Sequence, residues 1–165
     1  QADALRAAPS ARGLPQTLAT KPMTASPLVS IAELLEAFEW VSASGPMENS
    51  AFVSRKTGAT HWASESAELE VELPEDIEDG SVYVAVPHKT DLDLGRTLAL
   101  RFVAERVPEA AAAVNGFFHQ RGAYARFKDL LERKGILQEW YEYEAQAVEH
   151  ALRAWSAEHG FQLKA

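Results

Sequence analysis

The chain contains no cysteine. Disulfides, thiolate zinc or iron–sulfur ligation and cysteine nucleophiles are therefore excluded, and a reducing, cytoplasmic setting suits the composition. Basic residues are in the minority, with 16 Lys and Arg against 24 Asp and Glu, for a net charge of -8. As a whole the chain is no natural ligand for a polyanion, although a local basic patch could still bind one. No apolar run approaches the ~18 residues of a membrane span, so no membrane partner is expected. The first 22 residues lack the unbroken apolar core of a secretory signal. Also missing are a His-Glu-x-x-His pair, a Gly-x-Ser-x-Gly elbow, a phosphate loop and a dinucleotide fingerprint. No cofactor is expected, and the balance leans against catalysis. A site assembled from distant residues leaves no local motif, so an enzyme stays open.

What is present is ordinary globular composition, with 47% apolar and 24% charged residues. A length of 165 residues suits one domain with its own core. Residues 1–29 read as a disordered or extended tail and 30–165 as the domain. The tail holds Pro9, Gly13, Pro15 and Pro22 without apolar periodicity. Met23 is expected to be the natural start. A transit peptide is the rival reading, weakened by the lack of an amphipathic pattern.

Ser30-x-x-Glu33 is a capping box, and it opens a helix with Ile31, Leu34, Leu35 and Phe38 on its apolar face. A hairpin follows, with strands at 51–54 and 59–63 and a turn that Gly58 closes with φ > 0. Residues 68–73 alternate strictly, with Leu69, Val71 and Leu73 on one side and Glu68, Glu70 and Glu72 on the other, which predicts a half-buried strand. The apolar run 82–86 predicts a strand buried on both faces. After about Pro87 the period changes to 3.6. A helix capped by Thr90 or Asp91 is predicted to about Val107, followed by helices over 109–118, 123–133 and 137–158. Gly135 and Gly160 close the last two. Trp140, Tyr141, Val148, Leu152 and Trp155 form the apolar face of the longest. The expected fold class is α+β: a short, mainly antiparallel sheet of about four strands against a mostly helical C-terminal half.

Two stretches carry a resemblance. One is Ser50-Ala51-Phe52-Val53-Ser54-Arg55-Lys56-Thr57-Gly58 with Trp62. The other, more specific, is Gly122-Ala123-Tyr124-Ala125-Arg126-Phe127-Lys128-Asp129 ahead of Trp140-Tyr141 and Trp155. Over about 31–161 the chain resembles the bacterial uncharacterised protein family numbered 0158 in the UPF series. Ser54 departs from the acidic residue common at that hairpin position. The resemblance implies a bacterial cytoplasmic protein and brings no activity, cofactor or catalytic residue with it.

Three candidate sites stand out. Arg121, Arg126, Lys128 and Arg133, interleaved with Phe118, Tyr124 and Phe127, have the chemistry for phosphates or stacked bases. The bland account is a solvated helix face over core aromatics. Glu65, Glu68, Glu70, Glu72, Glu75, Asp76, Glu78 and Asp79 form an acidic surface for a basic partner or a cation, or simply a soluble strand face. His88, Asp91 and Asp93 could hold a metal, but the two carboxylates suit helix capping as well. The leading expectation is a small non-catalytic binding or regulatory domain, with a protein partner open. The alternative is a nucleic-acid or phosphate binder acting through residues 121–134.

Overall fold

The structure, a computed structural model, describes residues 26–45, 48–64 and 72–164. The hairpin forms where the strand-like stretches around Gly58 predict it. Strand β2 (Asn49–Ser54) pairs antiparallel with β3 (Thr60–Ser64), setting Phe52 opposite His61. The Ser54 hydroxyl accepts the N–H groups of Lys56 and Thr57, and the Gly58 N–H donates to the Ser54 carbonyl at 2.9 Å. Gly58 takes φ 77°, the left-handed region open to a residue without Cβ.

The other edge of β2 carries β4 (Tyr83–Ala85), also antiparallel, so the sheet order is β3-β2-β4. This corrects the expectation of a strand buried on both faces at 82–86. Among the described residues β4 is an edge strand; Val84 and Val86 enter the core, Val82 and Tyr83 are half-buried and Ala85 is exposed. A continuous apolar run looked doubly buried because Ala85 and a partly shielded tyrosine are tolerated at a surface. The alternating segment 68–73 lies outside the described residues as far as 71, and Glu72 and Leu73 belong to no strand.

A second sheet joins the two ends of the described chain. β1 (Leu28–Ser30) and β5 (Gln162–Lys164) pair in parallel, with Val29 opposite Leu163. Leu28 and Val29 thus belong to the fold, and a strand follows the helical stretch. Gly58 packs against β1 so closely that a Cβ there would lie 2.2 Å from the Leu28 carbonyl oxygen.

Helix α1 (Ile31–Ser42) starts at the predicted cap, the Glu33 N–H donating to Ser30 Oγ at 3.4 Å. The helix expected from Thr90 is instead broken. A 3₁₀ turn (Lys89–Leu92) ends at Asp93, which adopts φ 54°, and α2 runs only over Arg96–Arg106. Asp is one of the few residues that tolerates this conformation, so the break hides inside a helical pattern. A 3₁₀ turn (Pro108–Ala110) leads into α3 (Ala111–Phe117). α4 (Ala123–Arg133) and α5 (Leu137–Glu158) have the predicted bounds.

The core runs from the sheet through α1 to the helical half. Trp140 is 0% exposed, with its ring 5.4 Å from Phe102 and 4.9 Å from Phe127, both edge-on, and this triad locks α2, α4 and α5 together. Tyr141, expected on the apolar face, is 40% exposed. The fold is α+β, with helices forming most of its C-terminal half.

Candidate functional site

The 3₁₀ turn is tied down by His88. The His88 N–H donates to Asp91 Oδ2 at 3.0 Å, and the Thr90 N–H donates to His88 Nδ1 at 3.1 Å. A backbone N–H can only donate, so Nδ1 is the accepting nitrogen. The proton then sits on Nε2, which donates to the Ser44 carbonyl at 2.9 Å. The metal reading of His88, Asp91 and Asp93 is therefore corrected. Both ring nitrogens are engaged by the protein, Asp91 caps the turn and Asp93 is exposed at its left-handed end. Among the described residues no group of three or more His, Asp or Glu is placed to hold a metal. What the turn does is deliver Lys89. The Lys89 N–H donates to Ser42 Oγ at the end of α1, and its ammonium lies 4.8 Å from the centre of the Tyr124 ring.

The four cations singled out in the sequence do not converge. Phe127 and Leu131 turn α4 inward. Arg126 and Arg133, seven residues apart, share the outer face with Asp129 between them, and all three are exposed. Arg133 Nε donates to the Asp129 carbonyl. Lys128 is two positions from Arg126, on the opposite side of the helix, with its ammonium 5.6 Å from the centre of the Tyr141 ring on α5. Arg121 lies in the turn before α4. As one anion site, the set is not assembled.

The acidic candidates divide. Glu65, Glu68 and Glu70 lie outside the described residues, and Glu72, Glu75, Asp76, Glu78 and Asp79 are exposed. Asp79 Oδ1 accepts the hydroxyl of Ser81 at 2.7 Å and its N–H at 2.9 Å. These bonds hold the Asp79 carboxyl below its ordinary range and give it a turn-forming task.

A concave site lies elsewhere. A cleft of about 430 Å³ opens between α1, the 3₁₀ turn and α5. Leu35, Phe38, Leu94 and Val148 make its apolar floor, and Glu39, Lys89, Tyr141 and Glu144 supply polar groups. Glu144 is half-buried and forms no hydrogen bond or ion pair with a described residue. Burial pushes its carboxyl above the ordinary glutamate value; Lys128 and Lys89 oppose that shift and Glu39 reinforces it. Burial raises the Tyr124 hydroxyl as well, and Glu144 adds to it. Glu149, also on the rim, is bound to Arg153 at 2.8 Å, the pair expected from their four-residue spacing.

Of the earlier candidates only Lys128 belongs to this neighbourhood. Glu144 does leave a sequence signal. It sits four residues after Trp140 and four before Val148, a carboxylate in line with the apolar stripe of α5. Glu39, Lys89 and Tyr124 reach it only through folding. Comparison with protein-family models, with curated proteins and with solved structures returned no match.

Proposed function

We propose that the chain is a non-catalytic ligand-binding domain and that the cleft between α1 and α5 is where it binds. The observation that carries this is Glu144. Packing alone gives little reason to seat a half-buried carboxylate above an apolar floor without a hydrogen-bonded partner. A binding site does give one, since such a group is poised for whatever enters the cleft. The volume falls within the range of small-molecule sites, about 300–1,000 Å³. A bacterial cytoplasmic setting accords with the cysteine-free composition and with the resemblance noted for residues 31–161. No helix among the described residues is long and apolar enough to cross a membrane.

The test is to fill the cleft. Ala145 lines it from an exposed helical position, so Ala145→Trp should occupy the space without disturbing the core. Ligand-observed NMR with a mixed fragment library should find compounds that bind the full-length wild type and not this variant, at unchanged melting temperature. A library in which no compound distinguishes the two proteins overturns the reading. The phosphate or nucleic-acid alternative predicts salt-dependent retention on a polyanion column, lost in Arg126→Ala with Arg133→Ala. The divergence of the four cations argues against that outcome.

A further inference from the structure

The cleft and its rim carry charges of both signs that form no ion pair with one another. Glu39 comes from α1 and Glu144 from α5. Lys89 comes from the 3₁₀ turn, and Lys128 reaches the same neighbourhood from α4. The ion pairs formed among the described residues are Arg106–Glu139, Lys134–Glu109 and Arg153–Glu149, and none involves these four side chains. Both ammonium groups rest instead over tyrosine rings, Lys89 at 4.8 Å from Tyr124 and Lys128 at 5.6 Å from Tyr141. Rings hold a cation in place while leaving its N–H donors open. The carboxylates of Glu39 and Glu144 are similarly uncommitted, whereas Glu149 is not.

Each simple class of ligand leaves part of this set uncompensated. A neutral apolar molecule would cover the floor and exclude water from four charges. A bare cation would satisfy Glu39 and Glu144 while facing Lys89 and Lys128. A bare anion would reverse the problem. A molecule carrying both signs, joined to an apolar body, answers all of it. Charge complementarity of this kind selects among ligands that bury the same apolar area.

We infer that the cleft takes an α-amino acid with a large apolar side chain, its ammonium toward Glu39 and Glu144, its carboxylate toward Lys89 and Lys128, and its side chain on Leu35, Phe38, Leu94 and Val148. This rests on the reading of the cleft as the binding place. The electrostatics of Glu144 support it: the two lysines ease its ionisation and Glu39 resists it, so Glu144 senses the other three groups.

Three probes of matched shape decide the matter: phenylalanine, phenethylamine and 3-phenylpropanoate. Calorimetric titration of the full chain should show phenylalanine binding at least about tenfold more tightly than either half-charged analogue. Glu144→Gln should weaken phenylalanine and phenethylamine but not 3-phenylpropanoate. Lys89→Gln should weaken phenylalanine and 3-phenylpropanoate but not phenethylamine. Melting curves establish that each variant is folded, and Lys128→Gln replaces Lys89→Gln if the turn is disturbed. If either analogue binds as tightly as phenylalanine, one half of the charge set is idle and the inference is overturned. If none of the three binds while library fragments still distinguish wild type from Ala145→Trp, the ligand class is wrong and the cleft reading survives. If no fragment distinguishes them, both fall.

Discussion

Glu144 carries a local penalty and Gly58 avoids one, and both effects can be measured. Burial makes Glu144 harder to ionise in the folded chain than in the unfolded one. Its folded pKa is raised, so the stability it contributes is complete below the ordinary value of 4.5 and is lost as pH rises through the folded value. At neutral pH the carboxylate therefore costs stability. Glu144→Gln should melt higher than wild type at pH 7, and the gap should close as the pH drops below 4.5. A gap that persists in acid would instead assign the gain to new hydrogen bonds of the amide. Gly58 is the opposite case, a residue whose absence of a side chain the fold requires. Its φ of 77° disfavours any Cβ, and the Leu28 carbonyl leaves no room for one. Gly58→Ala should lose at least about 2 kcal/mol in denaturant melts. A loss under about 0.5 kcal/mol would show that β1 moves aside.

The helices were the most legible elements because their signals are local. Gly135 and Gly160 follow the last turns of α4 and α5 with φ 74° and 79°, and the apolar spacing in between does the rest. The Ser54–Gly58 turn was legible for the same reason. What was illegible depends on partners distant in sequence. β1 and β5 are three residues each, too short to show a period, and their pairing spans almost the whole described chain. The break at residues 93–95 was hidden because Asp93 and Leu94 keep four-residue spacing to Thr97 and Leu98 inside α2. The candidate site suffered likewise, its members coming from α1, the 3₁₀ turn, α4 and α5. At the element scale the decisive side chain is Trp140, which holds α5 against α2 and α4. Its Nε1 finds no acceptor among the described residues. Trp140→Ala should cost about 3–5 kcal/mol by opening a cavity. Trp140→Phe keeps most of the packing and removes a buried, unsatisfied donor. It should therefore lose far less, under about 1.5 kcal/mol. Equal losses for the two variants would mean that indole shape, not ring burial, governs the site.

At the scale of the molecule the question is whether the sheet and the helical half fold as one unit. Contacts argue that they do. α1 lies against β2 and β3 on one side and α5 on the other, so a single helix belongs to both halves. Trp40 on α1 reinforces the junction, its Nε1 donating to the carbonyls of Ser50 and Ala63 at 3.2 Å each. The parallel β1–β5 pair closes the chain ends around the same core, burying Val29 and Phe161, and Phe161 stacks on Trp155 with ring centres 5.9 Å apart. Neither half can open without exposing apolar surface of the other, which is the physical basis of a cooperative transition. The tryptophans make this testable, since Trp40 and Trp62 report on the sheet side and Trp140 and Trp155 on the helices. In a Trp140→Phe, Trp155→Phe double variant, fluorescence follows the sheet side while far-UV circular dichroism follows mainly the helices. The two denaturation midpoints should coincide, with a single slope. Separate midpoints would show that α1 parts from α5 before either half unfolds, and the cleft between those helices would then open along the boundary between two folding units.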